Sequence, residues 1–304
     1  MSAPDPRALL GAACEFARAA GAILLAGYGS VHAPEKKGRI DLVTEYDRRS
    51  EALLVSLIRE RFPAHAILAE ESGTHEAARA GGERPHGRAG GAGTGPGADL
   101  KRQPRRAAVA GTRSVMWYCD PLDGTTNYAH NYPFFGVSVG VEVDGAMAAG
   151  AVYDPVRDEL FAAAAGGGAT LNDRPIRISG TERLEDALLV TGFPYDVREH
   201  PERHLPLFQE FLLRAQGVRR DGSAALNLCY VAMGRFDGMW EGDLSPWDVA
   251  AGSLIVREAG GRITGYEGEP LRLEGRRIVT ANAGLHAELL RVVALHPEAG
   301  APVG

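Results

Sequence analysis

Cysteine is scarce in this chain and poorly placed for either of its common structural jobs. Cys14, Cys119 and Cys229 stand far apart, no CxxC pair occurs, and three is an odd number, so neither a disulfide framework nor a cysteine-ligated zinc site is predicted. A reducing compartment, the cytoplasm, is the expectation. Aromatic residues are also few, and no apolar run approaches the length expected of a bilayer span. With 45% hydrophobic and 24% charged residues, this predicts a soluble protein with no membrane partner. The N-terminus lacks the basic-then-apolar order of a secretory signal and reads as a mature amphipathic helix. An excess of positive charge is missing too, and a net charge of -6 argues against general polyanion binding.

What is present is enough chain, 304 residues, for one large domain or two lobes with a substantial core. Leu9, Ala13, Phe16, Ala20, Ile23 and Leu24 recur at helical spacing and predict a helix over 8–26; Leu53, Leu54, Leu57 and Ile58 predict a second over 47–61. AILAE (66–70) and VMWYCD (115–120) read as buried strands that deliver acids at their C-terminal ends. From Pro133 to Ser179, apolar runs separated by VDG, DPVRD and NDRP predict an antiparallel meander. Beyond it, four helical segments (HPERHLPLFQEFLLRAQG, SAALNLCYVAMG, SPWDVAAGSLIVREAGG, LHAELLRVVALH) are interleaved with the strands ALLVTG, FDGMWEG and RRIVTAN. An α/β or α+β layered architecture follows.

Residues 74–113 stand apart. Gly, Ala, Arg and Pro dominate them, which predicts a disordered loop, and they carry a net charge of +5 that leaves -11 for the remainder. The GAGTGPG inside is not read as a phosphate loop, because no strand leads in and no helix follows.

The chemistry concentrates in short acidic stretches. In CDPLDGTTN, Asp120 is expected to end a strand and Asp123 to return to the same side of a Pro-Leu turn. Gly124 then permits close backbone approach, and Thr125 to Asn127 open a helix whose N–H groups suit an anion. Such acids suit a hard divalent cation, which takes oxygen ligands, yet a turn cap is the plainer reading of a bare DxxDG. AEES puts Glu70 and Glu71 side by side at a strand end, where solvent or a cation compensates them. In DLVTEYD, Asp41 and Asp47 flank Thr44, with helix capping as the plain reading; in SPWDVAAG, Asp248 sits in a first helical turn, favoured there by the helix dipole alone. HPERH spaces His200 and His204 four apart with no acid cluster alongside, which reads as a surface pair at a helix start. Cys119, by alternation, points away from Asp120 and packs as a buried thiol.

Taken in order, DLVTEYD, ILAEES, DPLDGTTNY and SPWDVAAGSLIVREAGG resemble the signature of the Mg²⁺-dependent inositol monophosphatase family, over nearly the whole chain outside 74–113. The resemblance implies the layered αβαβα sandwich of the inositol monophosphatase and fructose-1,6-bisphosphatase type, with an N-terminal α+β lobe (1–180) and a C-terminal α/β lobe (181–304). It implies that Glu70, Asp120 and the Leu122 carbonyl hold one Mg²⁺ and that Asp120, Asp123 and Asp248 hold a second, with a third, weaker ion near Glu70. Asp47 and Thr125, with the metal at Glu70, would orient and deprotonate the attacking water, and the N–H groups of Gly124 and Thr125 would receive phosphate. Asp123, Ala225, Glu241 and Asp248 would line the polyol pocket, together with Ser223 and Ala224, and Lys36 or Lys37 would stand near the phosphate entrance. Tyr128 replaces a usual Phe. Inositol 1-phosphate is the expected substrate, with fructose 1,6-bisphosphate, nucleotide 3'-phosphate or histidinol phosphate as alternatives. A homodimer is expected, and a role with RNA polymerase in ribosomal RNA synthesis is the rival from another class.

Overall fold

Asp5 caps the first helix, α1 (Pro6–Gly27), by accepting a hydrogen bond from Arg7 N–H, and Pro6 occupies the first turn, where its missing N–H costs nothing. The computed structural model describes residues 4–30, 34–36, 42–77 and 114–300; Lys37, Asp41 and segment 78–113, with GAGTGPG inside it, lie outside the described residues. Next come β1 (Glu35–Lys36), β2 (Leu42–Val43), α2 (Glu45–Arg61), β3 (Ala66–Ala69), β4 (Gly73–His75), β5 (Val115–Asp123) and α3 (Thr125–Ala129), so residues 74 and 75, expected in a disordered loop, instead pair with β3. The meander follows as β6 (Gly136–Val143), β7 (Ala146–Asp154), β8 (Glu159–Ala164), β9 (Ala169–Leu171) and β10 (Arg174–Pro175). The last third holds β11 (Leu188–Thr191), α4 (Pro201–Arg214), β12 (Gly217–Arg219), α5 (Ala224–Ala232), β13 (Gly238–Glu241), α6 (Pro246–Glu258), β14 (Arg262–Thr264), β15 (Ile278–Ala281) and α7 (Ala283–Val293).

The predicted meander is present: β5 to β10 pair antiparallel in sequence, and with β3 and β4 they make an eight-stranded sheet in which β3 and β5 run parallel. A second sheet of five strands has the order β12-β11-β13-β15-β14. Three apolar clusters show the layering. One, with Phe16, Leu24, Leu54 and Trp117, lies between the α1/α2 pair and the large sheet. Another, with Leu228, Ile255 and Met239, joins that sheet to the α5/α6 pair and onward to the second sheet. The third, with Leu207, Phe211, Val279 and Leu289, covers the far face of the second sheet with α4 and α7. The order is therefore helices, sheet, helices, sheet, helices, the αβαβα sandwich expected.

By length and composition α1 is apolar enough to cross a membrane, which corrects the expectation that no run comes near that length. In the fold, its stripe of Leu9, Ala13, Phe16, Ala20 and Leu24 is buried against α2 and the sheet, as a core helix requires.

Two glycines determine how closely the layers meet. Gly140 on β6 pairs with Gly150 on β7, and a Cβ on Gly140 would lie 2.7 Å from Ala250 Cβ, while one on Gly150 would lie 2.9 Å from Ala251 Cα. The missing side chains form a notch into which α6 sinks. That close approach brings the first turn of α6, with Asp248, down onto the sheet.

Candidate active site

The end of β5 is not the turn anticipated from Asp-Pro-Leu-Asp. Strand pairing continues through it: Asp120 faces Ser138 and Asp123 faces Gly136, so three steps on β5 are matched by two on β6. This is a β-bulge, placed where Pro121 has no N–H to give the ladder. Residues three apart on a regular strand face opposite sides, and the extra bulge residue restores Asp123 to the side of Asp120. Cys119 is buried in the cluster under α1 and α2, opposite Asp120, as alternation predicted. Gly124 follows with φ 97°, a conformation that suits glycine, and turns the chain into α3.

Among the described residues, the predicted site residues have definite places. Asp47 closes a capping box on α2, its Oδ2 accepting from Thr44 N–H at 2.7 Å and from the Thr44 hydroxyl at 2.5 Å. That leaves Oδ1, which lies 2.9 Å from Thr125 Oγ1. The capping role and the site role thus coexist on different oxygens. Thr125 Oγ1 is also 3.0 Å from the Leu122 carbonyl, which keeps its other lone pair. Asp123 sits at the start of α5, accepting from Ser223 Oγ and Ala225 N–H, both at 2.6 Å, and from Ala224 N–H at 3.3 Å. Asp248 Oδ2 accepts from Ser245 N–H at 2.7 Å, and Asp120 Oδ1 from Leu122 N–H at 3.0 Å. Lys36 lies in β1, paired to Leu42.

The acids act on one another. Burial pushes the Asp120 carboxyl well above its usual range, and the charges of Glu70, Asp123 and Asp248 push it further, with Glu70 also within hydrogen-bonding reach. Asp248 is pushed well up by burial and then by Asp123, Glu70 and Glu241. Asp123 is raised by burial despite its hydrogen bonds from Ser223 and the start of α5. As the side chains stand, no three His, Cys, Asp or Glu groups among the described residues are disposed to hold one ion, and Asp120, Asp123 and Asp248 each accept a hydrogen bond from a backbone N–H. The donor set nevertheless has the chemistry of a hard-cation site: oxygen only, shielded and mutually repelling.

Glu241, at the end of β13, has its carboxyl pushed up to about 8 by burial and then by the Asp123 charge, with Arg220 pulling the other way. Its Oε2 is buried and has no hydrogen-bond partner among the described residues. Gly192 touches this carboxylate where any Cβ would clash, so the glycine leaves room for the acid.

The structure also shows what the residues around the acids do. Asn127 Nδ2 lies 2.7 Å from both the Phe134 and the Asp221 carbonyls, tying the bulged turn to the loop that carries Ser223. Ser138, opposite Asp120, donates to the Trp247 carbonyl at 3.2 Å and pins α6 beside the bulge. Tyr128 is fully buried and its hydroxyl donates to the Leu24 carbonyl at 2.9 Å, which accommodates the departure from Phe. The surface reading of the histidine pair is corrected for His204: it is buried, with Nε2 3.0 Å from Asp196 Oδ1, because the first turn of α4 faces inward.

With this geometry in place, comparison with known proteins is decisive. A model of the inositol monophosphatase family matches residues 5–298. The chain belongs to that family. Inositol-1-monophosphatase of Synechocystis sp. is 43% identical over 298 residues, covering 98% of this chain and 92% of its own length. A protein named Nus factor SuhB, from Pseudomonas aeruginosa, is 38% identical over 95% of this chain and 96% of its own. Among solved structures, inositol monophosphatase from Anabaena (Nostoc) sp. matches with a TM-score of 0.75 at 42% identity, covering 96% of this chain and 97% of its own. Family membership makes the chain a phosphatase, an enzyme that acts on a phosphorylated substrate.

Proposed function

We propose that this phosphatase is a Mg²⁺-dependent phosphomonoesterase that prefers inositol 1-phosphate. The carrying observation is the bulge that puts Asp120 and Asp123 on one side of β5, where Glu70 and Asp248 act on Asp120 as neighbouring like charges. Glu70, Asp120 and the Leu122 carbonyl would hold one Mg²⁺, and Asp120, Asp123 and Asp248 a second, with a third near Glu70. Ions held there would supply charge neutralisation for the phosphate and a lowered pKa for bound water.

The chain's own residues handle the proton and the positioning. Thr125 Oγ1 has one proton and two acceptors, Asp47 Oδ1 and the Leu122 carbonyl. When its proton is held toward Asp47, an oxygen lone pair is left to accept a hydrogen from the attacking water. The N–H groups of Gly124 and Thr125, at the start of α3, are the proposed phosphate donors. Asp123, Ala225, Glu241 and Asp248 are the proposed contacts to the polyol. Thr125→Ala is expected to lower kcat by about 10² to 10⁴-fold with KM nearly unchanged, whereas Thr125→Ser keeps most of the rate.

Phosphate release from inositol 1-phosphate, fructose 1,6-bisphosphate and adenosine 3',5'-bisphosphate, with and without Mg²⁺, tests the reading. Release that requires Mg²⁺ and is greatest with inositol 1-phosphate supports it; equal rates in chelator sink it. Glu241→Ala should raise KM for inositol 1-phosphate by about tenfold, since it removes the acceptor that a polyol hydroxyl would use. A preference for another substrate keeps the mechanism and removes Glu241 as its polyol contact. A reducing cytoplasm belongs to the same proposal, supported by three free thiols, two of them buried, and a homodimer is proposed from the family resemblance alone. A second reading, association with the transcription machinery, is favoured by the Nus factor name of the Pseudomonas relative. Salt-sensitive retention of RNA polymerase on the immobilised chain supports that reading, and no retention at low salt counts against it.

A further inference from the structure

The buried stripe of α2 changes character along its length. Its buried residues are Asp47, Ser50, Glu51, Leu54 and Ile58, at spacings that put all five on one helix face. Leu54 and Ile58 join the core under the large sheet, as any amphipathic helix would. The first three are polar, and each grips a different piece of the site. Asp47 takes the Thr125 hydroxyl, Ser50 Oγ donates to the Pro121 carbonyl inside the bulge at 2.9 Å, and Glu51 holds the turn after β3.

Glu51 is 4% exposed and is a buried acid for which the proposed mechanism has no use. Its two oxygens accept from two successive backbone groups, Oε2 from Glu71 N–H at 2.7 Å and Oε1 from Ser72 N–H at 2.8 Å. Immediately upstream, Glu70 N–H donates to the Cys119 carbonyl at 3.2 Å, which continues the parallel β3–β5 pairing. Glu70 is therefore fixed from both sides: by β5 behind it and by Glu51 ahead of it. Asp120, the next residue along β5 from Cys119, is the partner that Glu70 reaches.

We propose that Glu51 is a positioning residue for the metal ligands. By clamping the 71–72 backbone it sets Glu70 against Asp120, and Ser50 on the same face holds the bulge in the matching register. The inference rests on the reading that these acids bind Mg²⁺, and adds that a carboxylate on α2, which contacts neither metal nor substrate, sets the affinity. Only a carboxylate meets both N–H groups with acceptors; an amide presents one acceptor and turns an NH₂ donor toward the second N–H.

The test is calorimetric titration of Mg²⁺ into the metal-stripped full-length chain, wild type and Glu51→Gln. Outer partners of metal ligands typically contribute 10 to 100-fold in affinity, and a loss of that size is expected here. The Mg²⁺ concentration for half-maximal phosphate release should rise by the same factor, and excess Mg²⁺ should remove the deficit. A folded Glu51→Gln protein with wild-type Mg²⁺ affinity overturns the proposal, even if its Tm falls, because a purely structural clamp would change only Tm. Wild type that binds no Mg²⁺ overturns both the functional reading and this inference, an outcome distinct from the previous one. Should Glu51→Gln fail to fold, amide hydrogen exchange on wild type decides: protection of Glu71 and Ser72 supports the clamp, and exchange at the unstructured rate overturns it.

Discussion

Asp120→Asn is expected to lower phosphate release by at least about 10³-fold and at the same time to raise the Tm of the metal-free protein by several degrees. The two effects have one cause. Asp120 is buried among the charges of Glu70, Asp123 and Asp248, so its carboxylate is costly to the apo fold and valuable only when cations offset it. Asn keeps the shape and the acceptor for Leu122 N–H while removing one negative charge from the group. Activity assays with saturating Mg²⁺, paired with thermal melts in chelator, check both halves. A fall in Tm would mean that Asp120 is a structural cap, with its hydrogen bond outweighing the repulsion. Stability traded against function in this way is common where a site gathers like charges.

Gly140→Val is expected to be damaging by an unrelated route. Any Cβ at this position meets Ala250 Cβ at 2.7 Å and Ala251 N at 3.0 Å, so a branched side chain must lift α6 off the sheet. Overpacking of this kind costs about 1–3 kcal/mol, and the lifted helix carries Asp248 away from Asp120 and Asp123. A misplacement on the order of 1 Å costs about 10²-fold in rate, so kcat should fall by that much in molecules that remain folded. Gly180→Ala is the control, since its Cβ would meet nothing within 4 Å. Circular dichroism melts with phosphate-release assays separate the stability loss from the rate loss. Full activity in a folded Gly140→Val protein would mean that the notch does not seat Asp248.

Much of this was legible in the chain and some was not, for identifiable reasons. The meander could be read because each turn announces itself with Gly, Asp or Pro and each strand is a short apolar run. Asp120, Asp123 and Asp248 were singled out by the family resemblance of their stretches, since a turn cap or the helix dipole explains each acid taken alone. The bulge was not legible: Asp-Pro-Leu-Asp looks like a turn, and only the partner strand, through Ser138 and Gly136, shows that pairing continues across it. The notch at Gly140 and Gly150 was equally hidden, because it depends on two strands and a helix separated by a hundred residues. On α2 the reading followed Leu53, Leu54, Leu57 and Ile58 and so missed that the buried stripe runs back through Glu51 and Ser50 to Asp47. A polar residue on a buried face is the signal that would have found them. His204 was missed in the same way, since nothing local in HPERH reveals that Asp196 lies within reach.

The most direct test of the central claim is an anomalous-scattering map from crystals soaked in Mn²⁺ and phosphate, with Mn²⁺ standing in for Mg²⁺. The account predicts two strong peaks, one shared by Glu70, Asp120 and the Leu122 carbonyl and one by Asp120, Asp123 and Asp248, with phosphate against the Gly124 and Thr125 N–H groups. Fully occupied peaks elsewhere, or none among these acids, would contradict it.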